Sequence, residues 1–152
     1  MQFLGSVDAK IDAKGRVFFP AIFRRSLQQK GEDCLVLRKD IYENCLVLYP
    51  EHVWNAQLME LRSRLNRWNA EHQRLYRQFV SDVEVVGLDS NGRMLIPKRC
   101  LRLCNMQQDV RFIGMGDTLE IWALEAVQQP FLEPECFGRE LERIMNVESV
   151  EK

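Results

Sequence analysis

A short motif occurs twice in the chain, 77 residues apart, and this duplication constrains the fold more than any other feature. The first copy, DAKGRVFFP, spans 12–20, and the second copy, DSNGRMLIP, spans 89–97. The aspartate, glycine, arginine and proline are identical, and the three positions before the proline are apolar in both copies. The similarity resumes between 45–49 and 118–122, which read CLVLY and TLEIW. We therefore interpret the chain as a tandem duplication of one small unit.

The length of the chain indicates that the two copies share one hydrophobic core. At 152 residues the chain has the size of one domain, and half of it would barely bury a core of its own. Each copy reads as strand, turn, strand, short helix and two further strands, so we expect an α+β fold. We predict a first repeat at 1–54, a helical linker of the same domain at 55–80, a second repeat at 81–127, and an acidic tail with a short helix at 128–152.

The four residues that open each motif are typical of a tight turn. Asp12 and Asp89 can accept hydrogen bonds from backbone amides further along the turn. Gly15 and Gly92 tolerate the positive φ that such a turn requires. The proline that ends each motif suits the start of a helix. We therefore predict a mainly structural role for these two aspartates and two glycines.

Apolar spacing predicts the remaining elements. Strands are expected at 3–11, 16–19, 34–37, 45–49, 82–88, 93–96, 109–114 and 118–122. Helices are expected at 20–29, from 50 through 68, and at 70–80, 97–105 and 135–146. Helical periodicity places the following side chains on buried faces: Ile22, Phe23, Leu27, Trp54, Leu58, Leu61, Leu65, Trp68, Leu75, Tyr76, Phe79, Val80, Phe137, Leu141, Ile144 and Met145.

Composition excludes several classes of protein. Hydrophobic residues make up 46% of the chain and charged residues 28%, which is typical of a globular protein. No apolar run approaches the roughly 20 residues that span a bilayer, and the first residues do not resemble a signal peptide. We therefore expect a cytoplasmic protein without a membrane partner. The five cysteines are expected to be reduced and mostly buried, because neither their spacing nor that of the two histidines suits a metal site.

Charge is unevenly distributed, although the net charge of the chain is only −1. Residues 9–31 hold six basic residues and one acidic residue, and residues 88–102 hold four and one. Residues 120–152 instead hold eight glutamates against three basic residues. Positive charge therefore gathers at both copies of the motif, which is the pattern expected of a surface that binds a polyanion.

The doubled D-x-x-G-R motif, followed by an apolar triplet, a proline and a short helix, resembles the MraZ family of bacterial transcriptional regulators. Three further blocks are similar to that family: FLG at 3–5, CLVLYP at 45–50, and GMGD with EIW between 114 and 122. The resemblance covers residues 1–127. It implies an AbrB-like fold in which two swapped-hairpin repeats interlock into one β-barrel. It also implies nucleoid-associated, ring-like homo-oligomers that bind DNA at direct repeats upstream of their own operon, the division and cell-wall gene cluster.

The motif arginines are the strongest candidates for contact with DNA. Arg16 and Arg93 would project from one face if the two turns are paired, and arginine makes bidentate contacts with phosphate or guanine. The neighbouring basic residues could contact phosphates: Lys10, Lys14, Arg24, Arg25, Lys98, Arg99 and Arg102. The second motif has Asn91 where the first has Lys14, so the two copies need not contact DNA equally.

Three other interpretations of the motif are open at this point. The arginines could pair with Asp12 and Asp89 and do no more than lock the turns. The two aspartates could form a catalytic pair, but an aspartic dyad needs a D-[ST]-G turn and a shared proton, which the adjacent arginines oppose. We therefore predict no catalytic residue, no cofactor and no small-molecule substrate. The chain could also be an antitoxin-like protein-interaction or assembly module that does not bind DNA directly.

Overall fold

A computed structural model describes residues 2–31 and 33–146 of the chain. Its strands are β1 (Ser6–Lys10), β2 (Arg16–Phe18), β3 (Cys34–Lys39), β4 (Leu46–Pro50), β5 (Glu84–Gly87), β6 (Arg93–Leu95), β7 (Asp109–Gly114) and β8 (Leu119–Ala123). Its helices are α1 (Ala21–Gln29), α2 (Glu51–Arg64), α3 (Ala70–Ser81), α4 (Lys98–Leu103) and α5 (Pro134–Asn146), and a 3-10 turn spans Leu124–Val127. Residues 147–152, the end of the predicted acidic tail, lie outside the described residues.

The two repeats interlock through their first strands. β1 of the first repeat pairs antiparallel with β7 of the second, and β5 of the second repeat pairs antiparallel with β3 of the first. β4 and β8 pair at the centre, so the six-stranded order is β1-β7-β8-β4-β3-β5. This order is unchanged when equivalent strands of the two repeats are exchanged. The duplication therefore appears as an approximate twofold axis through the centre of the sheet.

A separate two-stranded ribbon, formed by β2 and β6, obeys the same symmetry. Val17 stands opposite Met94, and these positions are equivalent in the two motifs. At the centre of the large sheet, Val47 likewise stands opposite its equivalent, Glu120. Val17 and Met94 are both fully buried, so the middle residue of each motif strand fixes the ribbon to the core.

The main core lies between one face of the large sheet and the motif segments. Alternate residues along β3, β4, β7 and β8 point into it, because side chains alternate between the two faces of a sheet. They are Leu35, Leu37, Leu46, Leu48, Val110, Phe112, Leu119 and Ile121. Phe19 and Phe23 fill the core from the motif side, and the rings of Phe19 and Phe112 meet edge to face at 5.9 Å.

The helical pair α2–α3 covers part of the opposite face of the sheet. Trp54 of α2 stacks on Phe79 of α3, with the ring centroids 5.3 Å apart, and Tyr49 of β4 meets Trp54 edge to face. The Arg38 guanidinium lies 4.5 Å from the centre of the Phe79 ring and donates to the Phe79 carbonyl oxygen. Asn69 begins α3 as a cap, because its side-chain oxygen accepts hydrogen bonds from the next amides of the helix.

The mixed α+β class is confirmed, but the closed barrel implied by the resemblance is not what the described strands form. β1 and β5 are the two edges of an open sheet. Among the described residues, isolated bridges of Ile11 with Val17 and of Leu88 with Met94 connect these edges to the ribbon. The sheet does not close here because β2 and β6 pair with each other, which leaves one bridge between each of them and the preceding strand.

Some side chains predicted to be buried in the first two helices are exposed. In α1 the inward positions are Phe23 and Leu27, while Ile22 lies about 100° around the helix from Phe23 and is 51% exposed. α2 ends before Leu65, which takes an extended backbone conformation. Trp68 therefore lies beyond the helix, on the connection to α3, and is 95% exposed.

The later helices also expose predicted core positions. Leu75 of α3 is 53% exposed, because this helix packs on the sheet region through Phe79 instead. α5 begins at Pro134, one residue before the predicted start, and ends at the predicted residue 146. It carries the predicted apolar stripe, but no residue of this helix is buried. The four stripe residues all remain exposed: Phe137, Leu141, Ile144 and Met145.

Candidate nucleic-acid interface

The first motif forms a turn that is held by its own aspartate. One carboxylate oxygen of Asp12 accepts hydrogen bonds from the amides of Lys14 and Arg16, both at 2.9 Å. The other oxygen accepts from Nε of the Arg16 side chain at 2.8 Å. Gly15 has a φ of +89° and donates its amide to the Asp12 carbonyl oxygen at 3.0 Å. The aspartate and the glycine are thus joined by hydrogen bonds within one turn, and their mainly structural role stays a prediction.

The second motif repeats this geometry bond for bond. Asp89 accepts from the amides of Asn91 and Arg93, both at 2.9 Å, and from Nε of Arg93 at 3.0 Å. Gly92 has a φ of +80° and donates to the Asp89 carbonyl oxygen. In both turns the arginine side chain is fixed through Nε, and no hydrogen bond within the described part of the chain occupies its two terminal nitrogens.

Reciprocal backbone hydrogen bonds join the two turns to each other. The Ile96 amide donates to the Gly15 carbonyl oxygen at 2.8 Å, and the Phe19 amide donates to the Gly92 carbonyl oxygen at 3.0 Å. Between these bonds, the paired strands place Arg16 opposite Leu95 and Arg93 opposite Phe18. The structure thus brings Arg16 and Arg93 together on one ribbon, with side-chain exposures of 33% and 25%.

Both turn aspartates are held in the ionised form. The pKa of Asp12 lies below its ordinary value, first because the Arg16 amide donates to the carboxylate, and then because the Arg16 side chain and the Lys14 amide do so. The pKa of Asp89 is lowered in the same way, first by the Arg93 amide and then by the Asn91 amide and the Arg93 side chain. Each carboxylate is therefore satisfied within its own turn, which does not fit a catalytic pair that shares one proton.

Two of the flanking basic residues form ion pairs, and the others do not within the described residues. Lys10 forms an ion pair with Asp109 at 2.7 Å, and Arg99 donates to both Asp82 and Glu84, at 3.0 and 2.8 Å. The side chains of the remaining predicted contacts make no hydrogen bond or ion pair within residues 2–31 and 33–146, and all but Arg24 are exposed: Lys14, Arg24, Arg25, Lys98 and Arg102. Lys14 projects from the first turn, and the others lie on α1 and α4, which follow the ribbon strands.

The chain matches a family model described as "MraZ protein, putative antitoxin-like" over residues 2–78 and 80–133. The chain belongs to the MraZ family. Its relatives include the "Transcriptional regulator MraZ" of Phocaeicola vulgatus, which is 64% identical over 145 residues, or 95% of this chain and 94% of the relative. The proteins of the same name from Bacteroides thetaiotaomicron and Bacteroides fragilis are both 59% identical, over 98% and 97% of this chain and 96% and 94% of theirs. These matches confirm the family resemblance that the doubled motif carries.

The described part of this MraZ-family chain contains no group of three or more histidine, cysteine, aspartate or glutamate residues arranged to hold a metal. No disulfide joins the described cysteines. Burial raises the pKa of Cys45 and Cys100, and it raises that of Cys104 to about 11. No described helix combines the length and apolarity needed to cross a membrane.

The turn glycines are expected to be intolerant of a side chain. A Cβ at Gly15 would lie 2.9 Å from the Ile96 carbonyl oxygen, in a backbone conformation that costs an L-residue about 1–2 kcal/mol. Gly15→Ala should therefore lower the free energy of unfolding in urea by at least about 1–2 kcal/mol. Gly138→Ala is the matched control, because nothing lies within 4 Å of its Cβ position in α5, and it should stabilise by about 0.5–1 kcal/mol. Equal effects of the two substitutions would contradict the assigned role of Gly15.

The turn aspartates are expected to make folding sensitive to acid. Because their folded-state pKa values lie below the unfolded values, their contribution is complete above the unfolded pKa and is lost as the pH falls through the folded pKa. Asp12→Asn with Asp89→Asn should therefore reduce the loss of unfolding free energy between about pH 5 and pH 2, compared with the parent chain. Chemical denaturation at each pH measures this, with Asp117→Asn as a control outside the turns. If the double variant loses as much free energy of unfolding at low pH as the parent chain, the turn aspartates are not the source of the acid sensitivity.

Proposed function

We propose that this MraZ-family chain is a transcriptional regulator that binds DNA through its two D-x-x-G-R turns. The observation that carries the proposal is the reciprocal pair of backbone hydrogen bonds that fixes both turns on one ribbon. A rigid pair of arginine-bearing turns suits a double helix, because both can engage one DNA molecule without a further loss of conformational freedom. The relatives' name, "Transcriptional regulator MraZ", is consistent with this role.

The turn geometry leaves each arginine able to contact DNA. The Nε of each motif arginine donates a hydrogen bond to Asp12 or Asp89, which orients the guanidinium group. The N–H groups of the two terminal nitrogens can therefore still donate to DNA. A guanidinium in this state can donate two parallel hydrogen bonds to a phosphate or to guanine O6 and N7 in the major groove. The ion pair between aspartate and arginine in each turn thus also positions the arginine, in addition to stabilising the turn.

The basic side chains that form no ion pair in the described chain would supply the DNA contacts that do not depend on the base sequence. Lys14, Arg25, Lys98 and Arg102 are exposed on the turn and on the two helices beside the ribbon, where they can approach phosphates. Lys10 and Arg99 would first have to exchange their carboxylate partners for phosphate, so they should contribute less. Each phosphate contact adds to the salt dependence of binding.

We further propose that the finer properties implied by the family resemblance apply to this chain. These are AbrB-like repeats with swapped hairpins, ring-like homo-oligomers, and binding to direct repeats upstream of its own operon, the division and cell-wall gene cluster, on the cytoplasmic nucleoid. The pairing of β1 with β7 and of β5 with β3 supports an exchange of strands between repeats. A ring would present many turn pairs to repeated sites, which raises the affinity through effective concentration.

Two exposed apolar surfaces support assembly with further copies of the chain. One is the convex stripe of α5, which ends in Ile144 and Met145. The other is a groove of about 820 Å³ whose lining includes Leu61, Leu75 and Phe79 of the helical pair. Because the two surfaces differ in shape, a contact between them would be head to tail, and head-to-tail contacts close into rings when the rotation permits.

DNA binding by the paired turns is tested by fluorescence anisotropy with a duplex from upstream of the chain's own gene, at several salt concentrations. Arg16→Ala and Arg93→Ala should each weaken binding by about 1–3 kcal/mol, because each removes a bidentate contact. Arg67→Ala, in the exposed connection between α2 and α3, should leave the affinity within about twofold. A folded parent chain that binds no duplex at low salt would reject the regulator proposal in favour of a protein-interaction module.

Assembly is tested by light scattering coupled to size-exclusion chromatography. Leu141→Glu places a charge in the apolar stripe of α5 and should reduce the oligomer mass, because the charge would be buried without a partner. Arg139→Glu, an exposed change on the other side of the same helix, is the matched control and should leave the mass unchanged. If Leu141→Glu assembles like the parent chain, α5 does not form the subunit contact.

A further inference from the structure

The two MraZ turns differ in charge at one equivalent position. Lys14 is exposed at the tip of the first turn, whereas Asn91 stands at the same place in the second. Their amides make the same hydrogen bond to the turn aspartate, so the two side chains start from equivalent positions. By sequence alone the second turn therefore has one cation fewer than the first.

The structure places a cation from the other repeat beside the second turn. Arg24 of α1 contacts Gly92 so closely that a Cβ at this glycine would collide with the Arg24 guanidinium, whose Cζ would lie 3.2 Å away. The hydrogen bond from Phe19 to the Gly92 carbonyl oxygen holds the start of α1 against this turn. At the equivalent place beside Gly15 stands Leu101, with Cδ1 3.9 Å from the Cβ position. The second turn thus has an arginine where the first turn has a leucine.

The Arg24 guanidinium is available for a ligand. It is half-buried, and it has no hydrogen bond or ion pair within the described ranges 2–31 and 33–146. It lines a cleft of about 350 Å³ together with Asp33, Asp89 and Asn91. The Asp89 carboxylate is already occupied by the amides and Arg93 of its own turn, and Asp33 is exposed.

We propose that Arg24 completes the second turn as its DNA phosphate contact, replacing across the repeats the cation that Asn91 lacks. The inference rests on the proposed DNA binding and deepens it. With Arg24 assigned in this way, each turn has two cations, Lys14 and Arg16 in one and Arg24 and Arg93 in the other. The second contact unit is then a composite of both repeats, and it exists only because the repeats interlock.

A backbone phosphate is the ligand that the position of Arg24 favours. The residue is set back from the exposed tip formed by Ser90 and Asn91, beside the glycine at the base of the turn. A guanidinium at this place can reach the sugar-phosphate backbone that borders the groove, as Lys14 can from the tip of the first turn. The planar fork of arginine fits two phosphate oxygens at once.

The composite unit also makes the two turns unequal in stiffness. Lys14 is a solvated side chain on a flexible stem, whereas the Arg24 side chain is packed against Gly92 and anchored on a helix. Ordering Arg24 on a phosphate should therefore cost less conformational entropy than ordering Lys14. We expect the second turn to hold DNA in a more strictly defined position than the first.

The test measures fluorescence anisotropy with the duplex from upstream of the chain's own gene and uses charge-removal variants on one helix. Arg24→Leu introduces the residue found at the equivalent position 101, and Arg25→Leu removes an exposed charge from the next residue. Arg24→Leu should weaken binding about tenfold and lower the slope of log affinity against log salt by about 1. Arg24→Lys should keep the salt slope and lose only part of the affinity, because lysine keeps the charge without the fork.

Whether Arg24 acts together with the second turn is tested by combining Arg24→Leu with Arg93→Ala or with Arg16→Ala. The effect of Arg24→Leu should shrink in an Arg93→Ala chain and persist in an Arg16→Ala chain, whereas the effect of Arg25→Leu should be the same in both. Equal effects of Arg24→Leu in the two backgrounds, or no effect at all, would overturn the assignment while DNA binding by the turns stands. A parent chain that fails to bind the duplex would instead overturn the proposed function together with this inference. Circular dichroism of each variant separates lost contacts from lost folding.

Discussion

The rest of the structure depends on the hydrogen bonds that cross between the two turns, from Ile96 to the Gly15 carbonyl oxygen and from Phe19 to that of Gly92. Each glycine has a positive φ, and its carbonyl oxygen accepts a hydrogen bond from the other repeat, so the two turns hold each other in place. The same exchange continues in the sheet, where the first strand of each repeat pairs with the third strand of the other. Val17 and Met94 belong to the main core, so the contacts that close the core also fix the ribbon that carries the two arginines.

Local chemistry made much of this fold predictable from the sequence. The Asp–Gly spacing determined both turns, Asn69 determined the start of α3, and the positive φ of Gly31 follows the predicted end of α1. Exposure was less predictable where periodicity was the only guide. Trp68 continued the apolar spacing of α2 but lies beyond the end of that helix, and α5 has the expected stripe although none of its residues is buried. Periodicity identifies an apolar face, but it does not identify what covers the face.

The candidate site shows the same division between local and distant information. The hydrogen bonds that Arg16 donates to Asp12 lie within five residues, and the sequence predicted this pairing as one possible way to stabilise the turn. The partners of Lys10 and Arg99, and the position of Arg24 beside Gly92, depend on strand pairing between repeats. The sequence alone does not show which basic residues near a motif form ion pairs, because their carboxylate partners lie far away in the chain. The broken symmetry between Arg24 and Leu101 is visible in an alignment of the repeats, but its meaning appears only when the turns are seen together.

The central claim, that both turn tips face the same DNA, is tested most directly by site-specific photocrosslinking. A photoreactive phenylalanine analogue would replace Ala13 or Ser90, the exposed tip residues of the two turns, with Gln73 on α3 as the reference position. After irradiation with the duplex from upstream of the chain's own gene, we expect covalent protein–DNA adducts from both tips and none from position 73. A chain that binds the duplex but gives adducts only from position 73 would contradict the account.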